Sequence, residues 1–308
     1  MAIRFDDRVV IVTGAGNGLG RSHALQFAER GAKVVVNDFG GARDGTGGSS
    51  EPAEKVVSEI KGAGGDAIAH GADVTNVAQV QDMVDKALSK WGRVDVLVNN
   101  AGILQDASFA KTTPESFKRV VDVHLMGSAY CSLAVWPHMR KANYGRIVMT
   151  ASTSGVYGNF GQASYAAGKT AMLGLMNVLH IEGGKNGIRA NTIIPGAATR
   201  LTEGLIPAPI LALMTPSAVS PAVLYLASDD APSRVILAAG SGGYARTYVL
   251  ESEGIYLPPD MQNCDEVAKR FDEISDKSTL HEYVDGGGEF MKFVGKAAKH
   301  MGVTLGPT

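Results

Sequence analysis

Short apolar runs alternate with longer segments of helical spacing along most of the chain, and several of the runs are apolar on both faces. Arg8–Thr13, Lys33–Asn37, Asp66–Ala69, Val94–Val98, Arg146–Thr150, Ile188–Ile194 and Arg234–Ala239 read as strands. Leu19–Arg30, Glu51–Gly62, Val77–Trp91, Pro114–Arg140 and Ala163–Gly183 read as the helices between them. A strand apolar on both faces must be covered on both, which a parallel sheet with helices on each side provides. The pattern therefore predicts an α/β fold: one doubly wound parallel sheet of about seven strands over residues 1–250. It changes over residues 251–308, where Leu257-Pro258-Pro259 breaks the chain. Helical spacing returns at Asp265–Glu273 and Phe290–His300, with Gly286–Gly288 expected to separate them. This mostly helical extension reads equally as a lid, a subunit contact or a packing arm.

Composition narrows the partners. Lys plus Arg number 29 against 31 Asp plus Glu, a formal charge of -2, so no electrostatic case exists for nucleic acid or an anionic membrane. A small-molecule substrate is the natural expectation. Cys131 and Cys264 lack zinc-ligand spacing and are too few for a disulfide framework, so both are expected as free thiols and no metal is expected. Met1–Asp7 has no secretory or transit character, and no apolar run is expected to span a bilayer, which needs about 18 residues. The expectation is a cytoplasmic protein.

Val9–Thr13 runs directly into Gly14-Ala15-Gly16-Asn17-Gly18-Leu19-Gly20, a strand, a tight glycine turn and a helix start. Glycines there let backbone N–H groups approach a pyrophosphate at the positive end of a helix dipole. The setting makes a Rossmann-like dinucleotide site the expectation, with Gly14, Asn17, Gly18, Leu19 and Gly20 at its phosphates. Asp38 ends the second strand, where a carboxylate accepts from the ribose hydroxyls and repels a 2′-phosphate. That favours NAD over NADP, with Arg21 and Arg43 as the opposing signals. Asp73 and Val74 follow the third strand, placed for the adenine amino group. Asn99-Asn100-Ala101-Gly102 follows the fourth, a small-residue turn where backbone approaches something flat. The glycine-rich stretch between Phe39 and Ser50 is long for a βα connection and reads as either a closing loop or a floppy insertion.

Tyr165 and Lys169 lie four residues apart on one predicted helix, thirteen residues after Ser152. At that spacing two side chains share a face, so Lys169 can sit beside the phenol and favour its ionised form. A phenol, an ammonium and a hydroxyl next to a dinucleotide site point to proton transfer coupled to hydride transfer.

The motifs T-G-x-x-x-G-x-G at Thr13–Gly20, N-N-A-G at Asn99–Gly102, Ser152, Y-x-x-x-K at Tyr165–Lys169 and Pro195-Gly196 together resemble the short-chain dehydrogenase/reductase family, over roughly residues 5–245. The resemblance implies that Tyr165 exchanges the proton and Ser152 orients the substrate oxygen. It also implies that Lys169 lowers the phenol pKa and holds the nicotinamide ribose, and that the enzyme is a homodimer or homotetramer pairing through the helices Pro114–Arg140 and Ala163–Gly183. Two positions depart from the pattern. His124 stands where the family often has an asparagine; it either hydrogen-bonds in that residue's place, titrates near pH 6.5, or is a packed core histidine. Arg200 stands where a threonine for the nicotinamide amide is usual, and Thr199, ahead of Thr202, is the expected substitute.

Val35–Gly41, Asn143–Ile147 and Gly158–Gln162 further resemble the subgroup of (3R)-hydroxyacyl-CoA dehydrogenase modules found in peroxisomal multifunctional enzymes and bacterial single-domain relatives. This implies an acyl-CoA substrate, with the hydratase and sterol-carrier modules of the multifunctional enzymes not expected here. A hydroxysteroid or other secondary-alcohol dehydrogenase, and a non-catalytic NAD-binding redox sensor, are the alternatives. Ile103, Val156, Tyr157 and Phe160 would suit an acyl chain or a steroid ring, or ordinary packing.

Overall fold

The computed structural model describes residues 2–198 and 207–306, in two compact units, 1–247 and 248–308. The first unit runs β1 (Val9–Thr13), α1 (Gly18–Glu29), β2 (Lys33–Asn37), α2 (Glu51–Gly62), β3 (Asp66–His70), α3 (Val77–Trp91) and β4 (Val96–Asn99). It continues through α4 (Pro114–Val121), α5 (Gly127–Ala142), β5 (Gly145–Thr150), α6 (Thr153–Tyr157), α7 (Ala163–Gly183), β6 (Ile188–Gly196), α8 (Ala208–Leu211), α9 (Ser220–Leu226), β7 (Ile236–Gly240) and β8 (Gly243–Thr247).

Alternation along the strands explains the layers. Val10 and Val12, Val34 and Val36, Val96 and Val98 pack on one face with Phe27, Val56, Ile60 and Val223 from α1, α2 and α9. Their sequence neighbours Val9 and Ile11, Val35 and Leu97 pack on the other face with Met83, Val135, Met139, Met172 and Met176 from α3, α5 and α7. Successive side chains point to opposite faces, so an unbroken apolar run feeds both cores. The sheet has the order β3-β2-β1-β4-β5-β6-β7-β8, with β1 to β7 parallel and β8 antiparallel to β7. The eighth strand escaped the sequence because it is an exposed edge: Gly243 to Arg246 all face solvent, leaving no buried alternation to read.

The helix expected over Pro114–Arg140 is present, as α4, a π-helical turn at Asp122–Met126 and α5 in unbroken succession. Two further expectations are corrected. The window Pro209–Leu226 reaches a mean hydropathy of 1.5 over 18 residues, against the expectation of no such stretch. It is not one continuous helix: prolines 216 and 221 interrupt it, and α9 buries Ala222, Val223, Leu224 and Leu226 in the core.

In the second unit are α10 (Cys264–Lys269), α11 (Phe271–Ile274) and α12 (Gly286–Met301). Gly286–Gly288 was expected to separate helices and instead forms the first turn of α12, because the Asp285 carboxylate caps the Gly288 N–H at 2.9 Å. Lys292 and Lys296, one turn apart, then hold the strand-like segment Glu251–Gly254 through the Glu251 and Glu253 carboxylates and the backbone carbonyls of residues 252, 253 and 254. Both cysteines are free thiols, Cys131 buried and Cys264 exposed.

Candidate active site

A cleft opens outside the carboxyl ends of β1 and β4, the neighbours at which the strand order reverses, where open α/β sheets place their ligands. Its wall includes Gly14, Asn17, Gly18, Leu19, Gly20, Asp38, Asp73, Val74, Asn100, Ala101, Gly102, His124, Tyr165, Lys169 and Pro195. Gly196 is not part of the wall; it sits in β6, in register with Gly240. Thr199 lies outside the described residues, as do Arg200 and Thr202.

The dinucleotide end is made of backbone. Gly14 takes a left-handed φ of +63°, and a Cβ there would come within 2.8 Å of Ala101 Cα; a Cβ on Gly20 would come within 2.2 Å of the Gly14 carbonyl oxygen. A side chain at either position must displace main chain. Asn17 precedes α1 without capping it, so the first N–H groups of that helix are left for an anion in the cleft. The Asn100 side chain locks the glycine turn, its Nδ2 donating to the carbonyls of Thr13 and Gly14 at 2.9 and 3.1 Å. Thr13 completes the lock, its Oγ1 accepting from the Asn100 and Ala101 N–H groups at 3.0 Å each.

Asp38 is buried and accepts from the Gly16 and Gly40 N–H groups, at 2.7 Å each. Each of its oxygens keeps a further lone pair. Arg21 is engaged with Glu59 of α2 and is absent from the wall, whereas Arg43 is part of it. One Asp73 oxygen holds the Thr75 N–H and hydroxyl at 2.9 and 2.7 Å, a turn that fixes the carboxylate at the cleft edge. The connection after β2 crosses to the far side of the cleft: the carbonyls of Arg43, Asp44 and Gly45 accept from Leu104 N–H, Gln105 Nε2 and Arg119 Nη2 at 3.1, 3.0 and 3.2 Å.

The proton-transfer end is made of buried side chains. Ser152 follows β5 and caps α6, its Oγ accepting from the Ser154 N–H at 3.2 Å; it is not part of the cleft wall. Tyr165 and Lys169 occupy successive turns of α7, with Lys169 Nζ 5.7 Å from the ring centre and donating to the Thr150 carbonyl at 2.7 Å. Burial without a counter-ion pushes the lysine down to about 7. The phenol is raised above its ordinary value, by burial foremost, with the Ser152 hydroxyl opposing the rise and the Asp106 carboxylate adding to it. The expectation was a phenol lowered by Lys169; burial is the largest influence on it here.

His124 projects from the π-helical turn, a kind of irregularity that recurs at functional sites. It is buried, meets Tyr165 edge-to-face with ring centres 5.1 Å apart, and packs so close that a Cβ on Gly102 would fall 2.3 Å from its Cε1. Its Nε2 lies 2.8 Å from the Ile103 carbonyl oxygen and 3.3 Å from the Ile103 nitrogen, and its buried Nδ1 is without a hydrogen-bond partner. Burial, then the Lys169 charge, drive its pKa well below 6.5, against the Ile103 hydrogen bond. Burial thus favours the neutral ring over the charged one. Ile103 is buried in the cleft wall, while Tyr157 and Phe160, 73% and 90% exposed, stand out on the turn after Ser152.

Sequence reasoning missed the polar pair Asp106 and Gln162, whose side chains meet at 2.8 Å across 56 residues. No local pattern announces such a contact; the glutamine's position three residues before Tyr165 is the one available signal.

Comparisons with known proteins agree with this geometry. The family model for short chain dehydrogenases matches residues 8–206. The chain is 45% identical over 262 residues to peroxisomal multifunctional enzyme type 2 of Drosophila melanogaster, covering 85% of this chain and 43% of that enzyme. The full-length structure of that enzyme superposes with a TM-score of 0.80 at 35% identity, over 97% of this chain and 51% of the other. The chain thus spans less than two thirds of the multifunctional enzymes it matches. A short chain dehydrogenase from Mycobacterium avium superposes with a TM-score of 0.75 at 36% identity, covering 88% of this chain and 95% of its own. A 7α-hydroxysteroid dehydrogenase complexed with NADH and 7-oxo glycochenodeoxycholic acid follows, at 0.70 and 32%, covering 79% and 96%.

Proposed function

The chain belongs to the short chain dehydrogenase family, and from that premise we propose that it is an NAD-dependent oxidoreductase interconverting (3R)-hydroxyacyl-CoA and 3-ketoacyl-CoA. The observation that carries the reaction is the placement of Tyr165 and Lys169 at one end of a cleft whose other end is the glycine turn, with Ser152 capping α6, which packs against α7. The residues fit the dinucleotide: a cradle that any Cβ would fill, an uncapped helix N-terminus, and the buried Oγ1 of Thr150 and Nδ1 of His124 without partners in the wall. Gly14 and the first turn of α1 would hold the phosphates, Asp38 the adenosine ribose, and Lys169 the nicotinamide ribose. When bound, the nicotinamide exchanges the hydride with the carbinol carbon.

The remaining work belongs to the protein. Ser152, held at the start of α6, orients the substrate oxygen by a hydrogen bond from its hydroxyl. Tyr165 holds its proton firmly, which suits donation in the reducing direction; in oxidation it must release it, so oxidation favours alkaline pH. Lys169 is pushed down to about 7 by burial, and wherever it carries its proton the ammonium lowers the cost of the phenolate.

Asp38 in the wall and the engagement of Arg21 by Glu59 support NAD over NADP. The likeness to the multifunctional enzymes supports the acyl-CoA substrate. The steroid dehydrogenase likeness supports a second reading, an alcohol on a rigid ring reached past Tyr157 and Phe160. A pure redox sensor has no need of the complete Ser152, Tyr165 and Lys169 set. The apolar side chains of Leu133 on α5 and of Val178 and Ile181 on α7, all exposed, support pairing of these helices in a homodimer or homotetramer. Initial rates with NAD and NADP, on (3R)- and (3S)-hydroxyacyl-CoA of graded chain length and on a hydroxysteroid panel, test the proposal. We expect NAD and the 3R series to give the turnover; oxidation of steroids alone, or dependence on NADP, rejects it.

A further inference from the structure

The turn between α6 and α7 is tied to the segment after β4 by side chains that the chemistry above leaves unused. Oδ2 of Asp106 accepts from Gln162 Nε2 at 2.8 Å, and Oε1 of Gln162 accepts from Ser154 Oγ at 2.6 Å and Asn159 Nδ2 at 3.1 Å. The Ser154 N–H donates in turn to Ser152 Oγ at 3.2 Å. Alongside, the Ala107 N–H donates to the Gly161 carbonyl at 2.9 Å. Gln162 is buried and immediately precedes α7, three residues before Tyr165. A carboxylate only accepts, so it dictates that the amide NH2 of Gln162 faces Asp106 and the amide oxygen faces Ser154. The orientation of Asp106 is thereby transmitted to the turn carrying Ser152 and to the start of the helix carrying Tyr165.

We propose that Asp106 is a positioning and specificity-determining residue of this reaction. Through Gln162 it sets the Ser152 and Tyr165 hydroxyls, and its negative charge disfavours substrates bearing a carboxylate near the reacting carbinol, so that a 3-hydroxyacyl thioester is preferred to the free 3-hydroxy acid. The substrate half of this rests on the acyl reading above. Asp106 is exposed and pairs with no cation among the described residues, so its charge is not neutralised locally. Three charged or titratable groups act on the phenol or lie against its ring: Lys169 from its own helix, His124 from the π-helical turn, and Asp106 from the segment after β4. Arg119 lines the same cleft but is turned to the Gly45 carbonyl. Of these three groups Asp106 is the one that carries a negative charge. A free 3-hydroxy acid places a second carboxylate two bonds from the carbinol carbon, whereas a thioester places a neutral carbonyl there. Because Asp106 is solvated, the discrimination is modest, about threefold.

Asp106→Asn keeps an acceptor for Gln162 and removes the charge. The test measures kcat/KM against pH for this variant and the wild type, on a (3R)-hydroxyacyl N-acetylcysteamine thioester and on the matching free acid. Loss of the negative charge lowers the phenol pKa, so the alkaline rise in oxidation moves to lower pH in the variant. The ratio of free acid to thioester kcat/KM rises about threefold. Gln162→Met, which cannot bridge, lowers kcat by about tenfold with little change in KM. An unmoved pH profile and unmoved ratio in Asp106→Asn, or a wild type that prefers the free acid, overturns the proposal. If the wild type oxidises neither acyl compound, the acyl reading falls by itself. The charge role is then decided by the pH shift of Asp106→Asn on whichever secondary alcohol is turned over.

Discussion

At its dinucleotide end the cleft is held by main chain: Gly14 and Gly20 admit no Cβ, and Asn100 and Thr13 tie the turn to β4. At its proton-transfer end it is held by burial, with Lys169, His124 and Tyr165 all displaced from their ordinary titration by the low dielectric around them. The first end is specified by shape and the second by solvation. A change of volume should therefore strike binding at one end, and a change of charge should strike pH behaviour at the other.

The largest effect is expected at the glycine turn. Gly20→Ala puts a methyl group against the Gly14 carbonyl oxygen, and dinucleotide affinity should fall about 100-fold, or about 2.7 kcal/mol. Calorimetric titration with NAD checks this, and unchanged affinity would mean that the turn is not where the phosphates bind. Next comes Lys169. Its folded pKa of about 7 lies below the ordinary 10.5, so the folded protein binds fewer protons than the unfolded chain between those values. The penalty of burying the ammonium is fully present below about pH 7 and is lifted as pH rises towards 10.5. Lys169→Met removes the penalty. In paired thermal melts without added dinucleotide, the variant should be the more stable at and below pH 7, by an amount of order several kcal/mol, and lose that advantage as the pH rises. A stability difference that stays flat with pH contradicts the buried-ammonium account. The smallest effect is expected from His124→Asn, which forfeits an edge-to-face contact with Tyr165. A fall in kcat of less than about tenfold and a melting temperature a few degrees lower are predicted. A thousandfold loss of kcat would instead make the histidine a proton-transfer group.

The same division explains what could be read from sequence. Val9–Thr13 and Val96–Asn99 are apolar on both faces, and the spacing of Gly14, Gly18 and Gly20 is local, so the sheet and the glycine turn were legible. Tyr165 and Lys169 were legible as neighbours on one helix. Their titration was not, because desolvation depends on what the whole fold packs around them. The π-helical turn that carries His124 leaves no mark in a helical periodicity, and β8 has no buried face to reveal it. Asp106 and Gln162 meet only through the fold.

The central claim is that the Tyr165 phenol moves the proton while the cleft binds the dinucleotide independently of it. Tyr165→Phe removes one oxygen, and the direct measurement is NADH titration together with the nicotinamide absorbance change on mixing the variant with NAD and a (3R)-hydroxyacyl-CoA. The prediction is NADH binding within about threefold of wild type and a loss of turnover of about 10³-fold or more. Wild-type turnover in the variant, or loss of NADH binding, would contradict the account.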